Sequence, residues 1–317
     1  MKRVQHMIRR LWLVGLVCGL TAASPTWAGE KIYIVTSLPD LADLARQIGG
    51  DAVTAEALAT GVENHHAVPI KPSMVVKLNR ADLVILMGME YEHAFLPALL
   101  GEARNPKILK GSPGYIDCSV HVTPKEVPEN LSRVEGDVHP LGSPHFNLDP
   151  EGGRAIAQAI YEGLVLNYPA LKPKFEANYN AFLAKLDEKE KEWAVLARPL
   201  KGLKFVSYHR AWAYFADSFG MISVGEIELK PGIEPTATHI VDLLGQMKAV
   251  GVKVVFREPE YPETVPDQIA AQVGGVVVKM PLMAGGVPEV KTWFELIEYD
   301  IRAVLKAAQE AGVIGKV

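Results

Sequence analysis

The sequence predicts an α/β protein built as two halves with a helical segment between them. In both halves, short β-branched segments alternate with amphipathic helical segments, which is typical of a parallel sheet covered by helices. Between the halves, residues 149–198 read as helix without an intervening strand. A chain of 317 residues, 49% of them hydrophobic, is long and apolar enough to form two cores.

The first 28 residues are predicted to be a secretory signal that is not part of the folded protein. A basic segment precedes an apolar stretch too short to span a bilayer, and the small residue Ala28 ends the signal. Cys18 raises the alternative of a lipoprotein, but Leu16 and Val17 precede it where a lipobox needs a small residue. We therefore expect cleavage near Ala28 and a soluble protein exported to the periplasm.

Charge and cysteine content exclude several classes of function. The formal net charge is −4, and removing the four basic residues of the signal leaves −8. So acidic a chain is a poor candidate for binding nucleic acid or anionic lipid. Only Cys118 remains after cleavage, which excludes an intramolecular disulfide and a thiolate metal site.

The first half begins with a strand segment, KIYIVTSL, and a helical segment, PDLADLARQIGG. In the helical segment the apolar residues repeat at helical spacing: Leu41, Leu44, Ala45 and Ile48. The alternation continues through AVTAEAL, SMVVKLNRA, DLVILMG and HAFLPALLGEA, and a strand is predicted near PKILKG. These segments predict a parallel sheet with helices on its faces.

Two long helical segments follow, at residues 151–168 and 173–197. Asp149, followed by Pro150, is well placed to cap the first of them. The second carries a single apolar stripe, made of Phe175, Tyr179, Phe182, Leu183 and Leu186. Neither proline nor glycine interrupts residues 175–197, so this helix is expected to bend little.

The second half returns to strand–helix alternation and closes on a long helical segment. Its segments are LKFVSYH, AWAYFADSFG, ISVGEIE, ATHIVDLLGQMKAVG, VKVVFREP, TVPDQIAAQVG, GVVVKM and WFELIEYDIRAVLKAAQEAG. The two halves resemble each other in pattern without a detectable repeat of sequence.

Three histidines lie where strand segments end or in proline-stiffened loops. His66 follows AVTAEAL, His145 lies in GDVHPLGSPHFNLDP, and His209 ends LKFVSYH. Because ligands of open α/β sheets bind beyond the carboxyl ends of the strands, these side chains are expected to meet in a cleft between the halves. Imidazoles suit borderline-soft divalent ions, zinc above all. No HExxH or paired CxxC motif is present, so the spacing alone also fits surface or capping histidines.

Five segments, in the same order along the chain, resemble those of one known family. They are HAVPIKPS, NRADLVILMGMEYE, SPHFNLDP, FVSYHRAWAYFADSFGM and GIEPTATHIVDLLGQMKAVGVKVVFREPEY. Together they resemble the metal-binding solute-binding proteins of zinc and manganese ABC importers, the ZnuA/TroA-like group. The resemblance covers essentially the whole mature chain.

The resemblance implies a metal site formed by His66, His145 and His209. In this family Pro-Ser lies six residues after the first ligand, which selects His66 over His65. Many members add an aspartate after the last strand, but here Met280 stands in the matching segment VVVKMPLMAGG. The fourth position is therefore open to water or to one of four nearby groups: His65, Glu63, His139 or Glu258.

The ligand set favours zinc, at one ion per chain. Manganese prefers oxygen donors, whereas three imidazoles suit zinc. Copper is a further alternative, because Met280 and Met283 offer thioethers and copper(II) is favoured by the Irving–Williams order. In the family's zinc carriers a long acidic and histidine-rich loop often precedes the second ligand. Here that loop is short and holds His121 and His139, and we expect His139 to be a structural turn residue.

The resemblance also implies the architecture and the partners. Two (β/α) lobes, residues 29–171 and 199–317, are joined by one long rigid helix at residues 172–198, with the metal in the cleft between them. Such proteins deliver the ion to a membrane permease, with a metallochaperone as a second partner, and catalyse nothing; we expect a monomer. The competing class is an exported zinc-dependent hydrolase, which needs a carboxylate general base beside the metal.

Overall fold

The computed structural model describes residues 29–64, 66–128, 139–228 and 233–315. Two sheets, each of four parallel strands, form the framework, and this confirms the predicted fold class. No helix within these four ranges has the length and apolar character needed to cross a membrane. The predicted signal, residues 1–28, lies outside the described residues.

The first lobe is built on strands β1 (Ile32–Thr36), β2 (Val53–Ala57), β3 (Leu83–Leu86) and β4 (Tyr115–Asp117). The strands pair in the order β2-β1-β3-β4. The helices of this lobe are α1 (Pro39–Gly49), α2 (Pro72–Arg80) and α3 (Leu96–Ala103). Every residue of β3 is buried, as expected for a central strand with both faces covered.

The prediction of a strand near residues 106–111 is wrong. Pro106–Ile108 forms a 3-10 turn, and the Asn105 side chain accepts a hydrogen bond from the Lys107 N–H at 3.1 Å. Proline has no N–H for strand pairing, whereas the first position of a helical turn needs none. Because Ile108 is fully buried, the apolar run reflects burial and not a strand.

Helices α4 (Pro150–Asn167) and α5 (Lys172–Leu196) connect the two sheets. The predicted cap of α4 is present, since Asp149 Oδ1 accepts a hydrogen bond from the Gly152 N–H at 2.6 Å. The apolar stripe of α5 packs on the core, with three members fully buried and two partly buried: Phe175, Phe182 and Leu186, then Tyr179 and Leu183.

The second lobe repeats the architecture of the first. Its strands are β5 (Lys204–Ser207), β6 (Ile222–Glu226), β7 (Val254–Arg257) and β8 (Val276–Lys279), in the order β6-β5-β7-β8. Its helices are α6 (Ala213–Ser218), α7 (Ala237–Val250), α8 (Thr264–Val273) and α9 (Trp293–Glu310). Both sheets therefore have the same order of edge and central strands.

The two lobes share one apolar core, called the main core, which includes residues of α1, α4, α5 and α9. Phe182 of α5 packs on Phe294 of α9 with ring centroids 5.4 Å apart, and Trp193 packs on Trp293 at 6.2 Å. A separate α7/α8 cluster fills the other side of the second sheet: Val206, Tyr208, Ile227, Leu243, Met247, Val252, Val255, Ile269 and Ala270.

In each sheet the strand order reverses beside the first strand of the lobe, β1 or β5. At such a point neighbouring connections leave in opposite directions, and a crevice opens beyond the carboxyl ends of the strands. Ser37 follows β1 and donates a hydrogen bond to Glu92 Oε1, after β3, at 2.6 Å. His209 and Glu258 follow β5 and β7 in the corresponding places.

Candidate metal centre

His66 lies in the loop between β2 and α2 and is only 6% exposed. Its backbone N–H donates a hydrogen bond to Asn64 Oδ1 at 2.9 Å, which shapes the turn. Earlier in the loop, Gly61 lies so close to the backbone of Gly285 and Gly286 that a Cβ on Gly61 would collide with it. The loop that carries His66 is therefore held against the second lobe.

His145 precedes the 3-10 turn Phe146–Leu148, which leads into α4, and is 1% exposed. The second lobe contacts this turn through Tyr214 of α6, whose hydroxyl donates a hydrogen bond to the Ser143 carbonyl at 3.1 Å. The prolines on both sides of the turn restrict its backbone. His145 thus enters the cleft from a short, constrained turn of the first lobe.

His209 lies two residues beyond β5 and is 2% exposed. Sheet pairing continues almost to this point, because the Tyr208 N–H donates to the Phe256 carbonyl at 2.8 Å. His209 Nδ1 is 3.9 Å from Glu228 Oε1, and both side chains are buried. This distance is too long for a hydrogen bond, but a carboxylate so close favours positive charge at the site.

The three predicted ligands come together in the cleft. His66 Nε2 is 3.1 Å from His209 Nε2. Ring centroids are 5.0 Å apart for His66 and His209, 5.4 Å for His145 and His209, and 5.7 Å for His66 and His145. Because Zn–N bonds are about 2 Å long, imidazoles that share a tetrahedral ion have centroids about 5 Å apart. The spacing of these rings suits one four-coordinate ion.

His139 belongs to the same cluster, although we expected only a turn residue. It does form a turn, since its carbonyl accepts from the Gly142 N–H at 3.1 Å, but its ring is 4.9 Å from His66. The donor nitrogens of His66, His139 and His145 all lie within 4.8 Å of one another. The histidines therefore form two overlapping triads, and the one with His209 has the more even ring spacing.

Each carboxylate considered for the fourth position has at least one oxygen engaged in another contact. Glu63 Oε1 accepts from Lys71 Nζ at 2.7 Å. Glu258 is fully buried, and its Oε1 accepts from Trp212 Nε1 at 2.6 Å. Burial raises the pKa of Glu258 well above its usual range, which favours the neutral form of its carboxyl. His65 lies outside the described residues, and its role stays a prediction.

Met280 is the residue that the family resemblance matched to an aspartate. It is fully buried in the main core, and its N–H donates to the Arg257 carbonyl at 2.9 Å. Met283 belongs to the same core. Core packing is the ordinary use of a buried methionine, so these thioethers give little support to a copper site.

The short loop expected to collect metal is described only in part, because residues 129–138 lie outside the described ranges. His121, in the described part, contacts Glu162 of α4, with Nε2 and Oε2 2.8 Å apart. This pair lies at the surface on α4, so His121 is engaged with that helix. The metal-collecting role of the loop stays a prediction.

The sequence did not single out the segment after β3 as a wall of the site. The buried Tyr91 ring lies 5.3 Å from His145 and 5.6 Å from His66. The exposed His93 ring lies 6.4 Å from His139, at the outer side of the cluster. The signal that could have found this segment is its position at the carboxyl end of a central strand.

Glu92, which lies between Tyr91 and His93 in the sequence, holds this segment in place. Its carboxyl accepts hydrogen bonds from the Ser37 hydroxyl at 2.6 Å and the Met87 N–H at 2.7 Å. Burial raises the pKa of Glu92 to about 7, and these hydrogen bonds oppose the rise. The Glu92 carboxyl is therefore harder to ionise than that of an exposed glutamate.

Two parallel-sheet lobes, joined by a long helix and with histidines of both lobes meeting in the cleft, define the class of solute-binding proteins that hold a metal ion. The particular family follows from sequence. Residues 34–307 match the family described as zinc-uptake complex component A, periplasmic (ZnuA), and the chain belongs to this family. The predicted family resemblance is confirmed.

Named relatives share this description. The high-affinity zinc uptake system protein ZnuA of Yersinia pestis is 26% identical over 249 residues, which cover 75% of this chain and 78% of that protein. Its Bacillus subtilis counterpart is 25% identical over 275 residues, 84% of each chain. The ZnuA of Brucella abortus is 34% identical, but only over 134 residues, 41% of this chain.

Solved structures agree with the fold. A crystal structure of ZnuA aligns with a TM-score of 0.73 and 25% identity, covering 88% of this chain and 99% of that one. A deletion mutant of ZnuA with zinc bound aligns with a TM-score of 0.74 and 27% identity, covering 88% and 98%. The manganese-bound periplasmic metal-binding protein of Candidatus Liberibacter asiaticus has a TM-score of 0.72 at 19% identity over 87% and 99% of the chains, and it supports the fold alone.

Proposed function

We propose that this protein captures one zinc ion in the periplasm and delivers it to the permease of an ABC importer. The observation that carries the proposal is the meeting of His66, His145 and His209, whose ring centroids are 5.0 to 5.7 Å apart. Family membership supports the same cargo, since its relatives include proteins named for zinc uptake.

In the proposed site His66, His145 and His209 bind zinc, and His139 takes the fourth position. The donor nitrogens of His66, His139 and His145 lie within 4.8 Å of one another, which supports His139 as the fourth ligand. Neutral imidazoles leave the charge of the ion uncompensated, and buried charge is costly. Glu228, 3.9 Å from His209, lies where it can offset that charge. Manganese, which prefers oxygen ligands, fits this donor set less well.

In this proposal the protein is first exported, and its signal is cleaved near Ala28. The folded protein is then a monomer with lobes at residues 29–171 and 199–317 and a linking helix at 172–198. It passes its ion to the permease, with a metallochaperone as a second exchange partner, and it carries out no reaction. The linking helix is supported by α5, which packs on α1, α4 and α9.

The test is the metal content of protein purified from periplasm without added metal, measured by mass spectrometry. We expect about one zinc per chain, retained against a chelator of moderate affinity. Stoichiometric manganese or copper in place of zinc would refute the cargo. Protein that neither carries zinc nor takes it up on titration would refute the function itself.

A further inference from the structure

A buried hydrogen-bond network joins the lobes beside His145. Asn147 follows His145 by two residues, and its amide donates to Asp40 Oδ2 at 2.7 Å. The same amide donates to the Leu282 carbonyl, in the loop after β8, at 2.8 Å. The other carboxyl oxygen of Asp40 accepts from the Ala284 N–H at 2.7 Å. Asp40, at the start of α1, thus ties both the His145 turn and the second lobe to one helix.

Trp293, the first residue of α9, completes this network. Its indole Nε1 donates to the Asn147 carbonyl at 2.6 Å, and its backbone N–H donates to Asp43 Oδ2 at 2.9 Å. A Cβ on Gly153 of α4 would collide with the indole, so that helix approaches Trp293 closely. Asn147 therefore contacts the second lobe through both its side chain and its backbone.

The network is withheld from water, with Asp40 and Trp293 fully buried and Asn147 1% exposed. In such surroundings a donor or acceptor that loses its partner has no water to replace it, so the geometry is strongly enforced. The network also reaches the other ligand loop of the first lobe. The loop that contains Ala284 continues into the glycines that abut Gly61, five residues before His66.

We propose that Asn147 and Asp40 are positioning residues of the metal site, an inference that rests on the proposed function. They hold His145 at metal-binding distance from His209 of the second lobe before the ion arrives. Ligands that are already in place bind more tightly, because less order must be imposed on binding. Neither side chain touches the ion; both act through the His145 turn.

The central variant is Asn147→Ala, which removes both amide donations. We expect its zinc Kd to rise about 10- to 100-fold, as when groups that orient metal ligands are lost. Bound cobalt(II) should show an altered visible spectrum, because the ligand geometry changes. Both measurements are made at a temperature where circular dichroism shows the variant fully folded. A purely structural role would lower the unfolding temperature and leave both readouts unchanged.

The matched control is Asn105→Ala in the same lobe. Asn105 is also buried, and its amide donates to the carbonyls of Leu78 at 2.9 Å and Ala81 at 2.7 Å. Its loss removes the same kind of hydrogen bonds away from the histidines. We expect a comparable loss of stability, with zinc Kd and the cobalt spectrum as in the wild type.

A charge exchange tests the pairing itself. Asn147→Asp places a second carboxyl against Asp40 and should weaken zinc binding. Adding Asp40→Asn restores one donor and one acceptor across the contact and should recover part of the affinity. A wild-type Kd and spectrum in folded Asn147→Ala would overturn the proposal, as would failure of every variant at Asn147 to fold while Asn105→Ala folds. Failure of the wild type to bind zinc would instead overturn the proposed function.

Discussion

The two lobes share a strand order but bring histidines to the cleft in different ways. The first lobe does so from loops, in which His66 and His145 depend on contacts with the other lobe for their position. The second lobe presents His209 two residues after β5, where sheet pairing still holds the backbone of the preceding Tyr208. The order of strands thus determines where a site forms, whereas the loops determine how many ligands a lobe supplies.

Removal of a ligand histidine has the largest expected effect and compares the lobes directly. His145→Ala and His209→Ala should each raise the zinc Kd by more than about 100-fold, since groups that merely orient ligands already contribute 10- to 100-fold. His66→Ala should behave in the same way. Titration calorimetry against a competing chelator measures the change.

Three other histidines extend that series, and His121 serves as its control. His139→Ala and His65→Ala should weaken binding less, and His121→Ala, whose side chain contacts Glu162, should leave it unchanged. Wild-type affinity in any of the three ligand variants contradicts the assignment of that residue. A greater loss for His139→Ala than for His209→Ala would favour the triad drawn wholly from the first lobe.

Acidification should weaken zinc binding next most strongly. An imidazole must be neutral to bind metal, and its unperturbed pKa is about 6.5. Between pH 7.5 and pH 5 we expect the affinity to fall by at least about tenfold, because ligands of both lobes take up protons. A flat profile over this range would show that carboxylates, not histidines, dominate the site.

A smaller effect is expected at Asp300, in the buried face of α9. Neither of its carboxyl oxygens accepts a hydrogen bond from the described part of the chain, and the residue is fully buried. Burial raises the pKa of Asp300 well above its usual range, and the nearby Asp40 and Glu258 raise it further. The folded protein therefore binds this proton more tightly than the unfolded chain, so stability falls as pH rises above about 4.

The substitution Asp300→Asn should remove this loss of stability at rising pH. Between pH 5 and pH 8 the free energy of unfolding of the zinc-free variant should decline less than that of the wild type, by on the order of 1–3 kcal/mol. Urea denaturation at several pH values measures this difference. Asp242→Asn, at an exposed position of α7, is the control and should follow the wild type. Parallel curves for Asp300→Asn and the wild type would contradict the prediction.

The smallest expected effect is a movement of one lobe relative to the other. The lobes share the main core through α5 and α9, and α5 contains neither proline nor glycine after Lys174. We expect zinc to order the loops of the first lobe while the radius of gyration stays nearly constant. Small-angle scattering with and without zinc measures the radius of gyration. A compaction typical of wide hinge closure would rule out a rigid connection between the lobes.

Features fixed by neighbouring residues were predictable from the sequence. The Asp149 cap, the apolar stripe of α5 and the strand-end position of His209 each depend on a short stretch of chain. Edge strand β4 is only three residues long and too short to show an alternating pattern. The apolar run before it, at residues 106–111, was therefore wrongly predicted to be the strand. Local patterns therefore gave the fold almost completely.

Contacts between distant segments were not predictable in this way. Asn147 and Asp40 are far apart in sequence, and neither residue type reveals that it will face the other in the core. His139 read as a turn residue, which it is, but nothing in its own segment places its ring against His66. The composition of the site depends on how the lobes pack, and that packing leaves little local signal.

The separate α7/α8 cluster has a consequence for how the protein opens. Its nine buried residues form an apolar cluster separate from the main core, to which residues of α5 and α9 belong. Proteins open locally in cooperative units, and we expect α7, α8 and this cluster, the outer layer of the second lobe, to form one of them. Backbone amides of α7 and α8 should exchange with deuterium before those of α5 and α9. We therefore expect the outer layer of the second lobe to open locally before the main core does.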